Sequence, residues 1–258
     1  MKRIRLERAG AVGTITLARP EKKNALDRVA ADEIQSALRD LGADASIRVV
    51  VLRADGPDFC AGADLQALEE MLDATEDENL RDAHALGGVF TELRSIAQPV
   101  IAVVRGRALA GGAGLATACD IVIAHEDAQF GYPEVRVGFV PAMVMTMLRR
   151  CAGEKRAFEL VSTGRTVGAR EALEIGLVSR VVAGHEFDAA VHELVEKVAG
   201  MPPSAQRLTK KLFYALDSRG FSEGVALGVA ANVAARSTEE FREGVRRFIA
   251  RQADHRTP

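Results

Sequence analysis

The sequence has no tryptophan, two tyrosines and three cysteines. It also has no apolar run near the roughly 20 residues that a membrane span requires. With aromatic residues at 5% and no basic stripe, it offers no stacking platform for single-stranded nucleic acid. Cys60, Cys119 and Cys151 lie far apart without a CxxC or a Cys/His cluster, which argues against a disulfide framework and a zinc site. Charge of either sign is not in excess. Lys+Arg 34 against Asp+Glu 36 gives a formal net charge of −2, so an anionic ligand has to be held by local charges. The N-terminal MKRIRLERAG alternates charged and apolar residues and lacks the apolar segment of a signal peptide, so the expected location is cytoplasmic.

What is present suits one large domain. A chain of 258 residues with 48% hydrophobic content can bury a substantial core. Ile4-Arg5-Leu6 and Val12 to Leu17 are expected to form a hairpin of half-buried strands. Asp27 is placed to cap a helix with the apolar face Ile34, Ala37, Leu38 and Leu41. Thr75 and Glu78 have the spacing of a capping box ahead of a second amphipathic helix carrying Leu80, Ala83, Leu86, Phe90 and Leu93. Gly87-Gly88 within it implies a close neighbour. The fully apolar runs Val49 to Leu52, Val100 to Val104 and Ile121 to Ala124 read as parallel strands covered on both faces, hence an α/β fold. From about Glu154 onward the pattern is mostly helical. After Pro202-Pro203, the residues Ser204, Ser222 and Ser237 (the last with Glu240) are the candidate caps of three closing helices.

Residues 49–65 and 100–115 share a plan: an apolar strand, a basic residue at its end, a glycine, then small residues opening a helix. Two such loops on adjacent parallel strands would set two helix N-termini side by side. Free N–H groups there suit an oxygen that gains negative charge. One loop alone would equally be explained by tight helix-on-sheet packing. Phosphate binding fits less well, because Gly111-Gly112-Ala113-Gly114 lacks the Lys-Ser/Thr of a P-loop.

Asp58 to Leu65, DFCAGADL, resembles the first signature of the crotonase (enoyl-CoA hydratase/isomerase) family. Gly106 to Asp120, GRALAGGAGLATACD, is similar to its second. Phe130 to Pro141, FGYPEVRVGFVP, resembles the segment that carries a catalytic glutamate. RPEKKNAL (Arg19 to Leu26) and the stretch Gly164 to Val182 match as well, in the same order along nearly the whole chain. The resemblance implies a ClpP/crotonase-like fold, with repeated ββα units spiralling into a core over residues 1–200. Residues 201–258 would be a helical region for trimerisation and for covering coenzyme A.

The implied chemistry is that of an acyl-CoA thioester held in a backbone oxyanion hole. Its two amides would be those of Ala63 and Gly111, and Glu134 would be the acid/base. A preorganised donor of this kind is worth about 3 kcal/mol in the transition state. Apart from the motif, Glu134 reads as a surface carboxylate beside Arg136. The apolar Val135, Val137, Phe139 and Val140 fit a partly dry group with a raised pKa. The resemblance also places Ala61, Ala63, Asp64 and Leu65 of the first loop, together with Gly111 and Gly114, among the residues that bind CoA and substrate. Gly114 stands where the family's best-known hydratases carry a second glutamate. This leaves two reactions open, hydration of a 2-enoyl-CoA and isomerisation of a 3-enoyl-CoA by one carboxylate. His84 borders the expected acyl pocket as a replacement acid/base or as a structural histidine. Lys22 and Lys23, or Lys210 and Lys211, are candidates for the CoA phosphates, a solvated charge being the alternative. Cys60 reads as a small buried filler. No cofactor is implied beyond coenzyme A as part of the substrate. The expected partners are that substrate and further copies of the chain, as a homotrimer or hexamer, with no nucleic acid and no membrane. An RNA-binding relative and a ClpP-like protease are the competing classes; the latter needs a Ser-His-Asp set not found in the sequence.

Overall fold

The computed structural model describes residues 1–254. Its strands, in chain order, are Ile4–Ala9 (β1), Val12–Leu17 (β2), Val49–Ala54 (β3), Val100–Val104 (β4), Arg107–Leu109 (β5), Ile121–His125 (β6), Gln129–Gly131 (β7), Thr166–Gly168 (β8) and Arg180–Val182 (β9). Its helices are Arg28–Ala43 (α1), Leu65–Glu70 (α2), Glu76–Ser95 (α3), Gly111–Ala118 (α4), Val144–Thr163 (α5), Ala169–Glu174 (α6), Phe187–Ala199 (α7), Pro203–Ala215 (α8), Phe221–Arg236 (α9) and Glu239–Asp254 (α10). No described helix is long and apolar enough to cross a membrane.

β1 and β2 form the expected antiparallel hairpin, Ile4 paired with Leu17 and Ala9 with Val12. From β2 onward the main sheet is parallel, in the order β1-β2-β3-β4-β6-β9. The uninterrupted apolar run of β3 is explained by what covers it. Val50 and Leu52 face the cluster containing Ile34, Leu38 and Phe90, whereas Val49 and Val51 face Phe187, Ala190 and Val195 of α7. A smaller sheet, β5-β7-β8, sits where the chain leaves the main sheet. This is the crotonase fold. The mostly helical pattern read after Glu154 misses β8 and β9, three-residue strands too short to show a period.

Asp27 caps α1 by accepting the Ala30 N–H at 2.8 Å, and Ile34, Ala37, Leu38 and Leu41 are buried beneath it. Thr75 and Glu78 close the capping box of α3. A Cβ on Gly88 would lie 2.5 Å from Gln35 Oε1, so the close neighbour is the end of the Gln35 side chain. The apolar face of α3 is shorter than expected, since Leu80 and Ala83 are exposed and burial begins only near Val89. The three serine caps are corrected as well. Pro202 and Gly220 precede α8 and α9, and Thr238 rather than Ser237 accepts the Phe241 N–H at the start of α10. Glu240 reaches across to the Ser204 amide at 3.0 Å instead of folding back on its own helix.

The closing helices are anchored by one buried polar knot. Lys210 of α8 donates to the carbonyls of Leu93 and Gln98 at 2.9 Å each and pairs with Asp120 at 2.7 Å. Tyr214, one turn on, donates to the other Asp120 oxygen at 2.6 Å. Burial pulls the Lys210 ammonium below its ordinary pKa, with Asp120 pulling the other way. Removing one member of such a pair strands the other charge in the interior. Lys210→Ala should therefore destabilise the protein by about 3–5 kcal/mol in urea denaturation, whereas Lys211→Ala, on an exposed side chain, should leave the midpoint unchanged.

Candidate active site

The two glycine loops leave the C-terminal ends of β3 and β4, which are parallel neighbours. They are stitched together by an isolated bridge, with Cys60 N–H donating to Arg107 O at 3.0 Å and Leu109 N–H to Cys60 O at 2.9 Å. Farther along, Gly62 lies directly against Ala110: a Cβ on Gly62 would stand 2.9 Å from Ala110 Cβ. Each of these residues immediately precedes an expected oxyanion donor, Ala63 or Gly111, so the two loops touch one residue before each of them.

Neither amide has a backbone acceptor among the described residues, for geometric reasons. Leu26 N–H donates to Gly62 O at 2.7 Å and Asp64 N–H to Leu26 O at 2.8 Å. In a parallel bridge of this kind the bracketed residue, Ala63, turns its own N–H away from the partner strand. Gly111 opens α4, where first-turn amides have no intrahelical acceptor. Ala110 before it is held at φ +50, ψ −124, a conformation disfavoured for any residue with a side chain. Bonds from Ala110 N–H to Gly131 O and from Gly114 N–H to Ala110 O hold it there.

The Ala110–Gly131 bond also ties in the third component, because Gly131 ends the strand that leads into Glu134. Pro133 begins a tight 3-10 turn, Pro133–Val137, and Gly138 at φ +74 ends it. Glu134 is half-buried, and its Oε2 is shielded without a hydrogen-bond partner among the described residues. Burial raises its pKa, partly opposed by its own backbone N–H. A dry carboxylate oxygen with nothing to bond is costly unless a ligand completes it. Val135, Val137, Phe139 and Val140 around it are exposed.

The profile of the family described as enoyl-CoA hydratase/isomerase matches residues 7–256. The chain belongs to the enoyl-CoA hydratase/isomerase family. Among relatives, a Thermus thermophilus protein bearing an enoyl-CoA hydratase name is 42% identical over 243 residues, 94% of this chain and 96% of that one. A Clostridium acetobutylicum protein named short-chain-enoyl-CoA hydratase is 33% identical, covering 96% of this chain and 94% of its own. A crystal structure of an enoyl-CoA hydratase from Mycobacterium smegmatis superposes with a TM-score of 0.93 at 31% identity, with 97% of both chains covered. This chain is thus an enzyme of the hydratase/isomerase family.

The other expected site residues are placed unevenly. Ala61 is half-buried in the first loop, its N–H bonded to Lys23 O at 3.0 Å, and Leu65 is 82% exposed at the start of α2. Lys22 and Lys23 are exposed beside that loop, where either can meet a phosphate. Asp64 is buried and already engaged, accepting from Arg19 Nη2 at 2.7 Å and from the Gln66 N–H at 2.9 Å. Burial opposes its charge, yet the Gln66 amide and Arg19 outweigh it and hold its pKa below the usual range. Lys210 is consumed in the α8 anchor and is not available to CoA. His84 is exposed on α3, in an open groove of about 710 Å³ with Leu80, Gly87 and Met143. The α3 residue that approaches Gly111 is instead Leu86, whose Cδ2 would be 3.7 Å from a Cβ placed there. Residues two apart on a helix point to different sides, so His84 does not share the side that Leu86 presents to Gly111. Cys60 is fully buried, its thiol pushed up to about 12 by burial, and is inert.

Gly114 has a packing reason that sequence reasoning missed. A Cβ there would lie 2.4 Å from Val144 Cγ1 and 3.0 Å from Phe90 Cζ. Val144 and Phe90 form an apolar wall against Gly114, and Val144 lies 30 positions on in the sequence. Gly114→Glu should therefore overpack the site, lowering stability by about 1–3 kcal/mol. Adding Val144→Gly should recover much of that loss in thermal melts of the two variants.

Proposed function

We propose that the protein hydrates 2-enoyl-CoA thioesters to 3-hydroxyacyl-CoA, using Glu134 as its single acid/base. The observation that carries this reading is the buried, unpartnered Oε2 of Glu134 at the end of the segment tied to Ala110. The ionised carboxylate accepts a proton from water as the water oxygen bonds to C3 of the enoyl group. The electron pair of the C2–C3 double bond moves toward the thioester, and charge collects on the carbonyl oxygen. The Ala63 and Gly111 amides stabilise it there, each worth about 3 kcal/mol in sites of this type. Glu134, now protonated, returns the proton to C2 and ends ionised. Hydroxyl and proton of one water are thereby added, and no cofactor beyond the CoA of the substrate takes part.

The apolar wall at Gly114 favours a second reading, isomerisation of a 3-enoyl-CoA to its 2-enoyl form. There Glu134 removes a proton from C2 and delivers it to C4, the same oxyanion forming between the steps. Both reactions need one carboxylate and two amides, and they differ in whether water is admitted. Lys22 and Lys23 beside the first loop are the proposed partners of the CoA phosphates. The exposed Phe213, Phe221, Val229, Val233, Phe248 and Ile249 of α8, α9 and α10 are the proposed contact surface of a homotrimer, alone or paired as a hexamer.

Incubation with crotonyl-CoA followed by mass spectrometry should show the gain of one water. Binding of the thioester without that gain would transfer the assignment to isomerisation, to be assayed with a 3-enoyl-CoA. Glu134→Gln should lower turnover by at least about 10²-fold while thioester binding, read by calorimetry, persists. Because the ionised Glu134 is the base and its pKa is raised above the ordinary 4.5, kcat/KM should rise with pH through an apparent pKa above that value. An acid limb at or below 4.5 would contradict a desolvated base.

A further inference from the structure

The RPEKKNAL segment lies behind the first loop, and its hydrogen bonds run to that loop and to the helix caps beside it. Asn24, at φ +54, donates to the carbonyls of Asp55 and Asp58 at 2.8 Å each and accepts the Arg19 N–H at 2.9 Å. Lys23 O takes the Ala61 N–H, and Leu26 brackets Ala63 from both sides. Arg19 is itself buried and holds two carboxylates at once, Asp64 through Nη2 at 2.7 Å and Asp27 through Nη1 at 2.9 Å. Those carboxylates are the N-caps of α2 and α1.

We propose that Arg19 is a positioning residue for the Ala63 donor: its guanidinium fork locks the α1 and α2 caps together and so fixes the Gly62–Ala63 peptide between them. This rests on the reading of Ala63 as an oxyanion donor. A backbone amide is worth most when it does not reorient as charge develops. The 62–63 peptide has Leu26 on its carbonyl, Ala110 packed against Gly62, and Asp64 as its next side-chain anchor. After Ala63 the main chain is held by one bond, from Asp64 N–H to Leu26 O, before the short α2, which buries no side chain. The Arg19–Asp64 pair supplies the missing restraint. A planar fork spans both carboxylates, whereas the point charge of lysine reaches one.

Arg19→Lys tests this with steady-state kinetics and with an aromatic 2-enoyl-CoA whose absorption moves to the red when its carbonyl is polarised. The wild-type protein should show the red shift on binding. In the variant kcat should fall about 10–100-fold with KM changed less than about threefold, and the red shift should shrink. Asp64→Ala, which releases the loop but leaves Arg19 paired with Asp27, should behave in the same way and serves if Arg19→Lys does not fold. Asp64→Asn, which keeps an oxygen for Arg19, should restore most of both signals. A kcat within about twofold of wild type, or a lowered kcat with an undiminished red shift, would overturn the positioning role. Absence of the red shift in the wild-type protein would instead remove the oxyanion reading on which it rests.

Discussion

Cys60 makes the two main-chain bonds that hold the glycine loops edge to edge, one to Arg107 O and one from Leu109 N–H on either side of Ala108, and Gly62 then lies against Ala110. The constraint is tight on both sides. A Cβ on Gly112 would lie 2.4 Å from Cys60 O, and one on Gly106 would collide with Pro57 O. Small residues are thus required because two backbones run against each other there. The strained Ala110 is part of this arrangement, a cost of about 1–3 kcal/mol that the surrounding bonds sustain.

Charge around this point is graded. Behind the first loop, Asp58 pairs with Arg107 at 2.7 Å and Asp64 with Arg19, so both carboxylates are ionised and fixed. In front of it, Glu134 has no cation and no donor for Oε2 among the described residues. Carboxylates that serve structure are saturated with partners, and the one assigned to proton transfer is left short of them. That contrast separates Asp64 from Glu134 more clearly than exposure does, because neither is a surface group.

The helical region has a different logic. Most of its apolar residues are exposed, Phe221 at 90%, and α8 is held to the body of the protein by the buried Lys210–Asp120 pair with its carbonyl acceptors and by the Tyr214 bond to Asp120. Lys210 illustrates how far context changes a lysine. In sequence it is one of two adjacent cations beside a helix face, and in the fold it is a buried donor to Leu93 and Gln98 while Lys211 remains in solvent.

The sequence by itself determined the strands of the parallel sheet, the caps at Asp27 and Thr75, and the pair of small-residue loops. These are written in local period and residue size, which act over a few neighbours. Through motifs in order along the chain it also marked Ala63, Gly111 and Glu134 as candidates. It did not determine the short strands β8 and β9, the caps of the last helices, the exposure of His84 or the burial of Lys210. Nor did it show that Val144 and Phe90 occupy the space above Gly114. Each of these depends on which distant side chain arrives against a given position, and only the tertiary packing sets that distance.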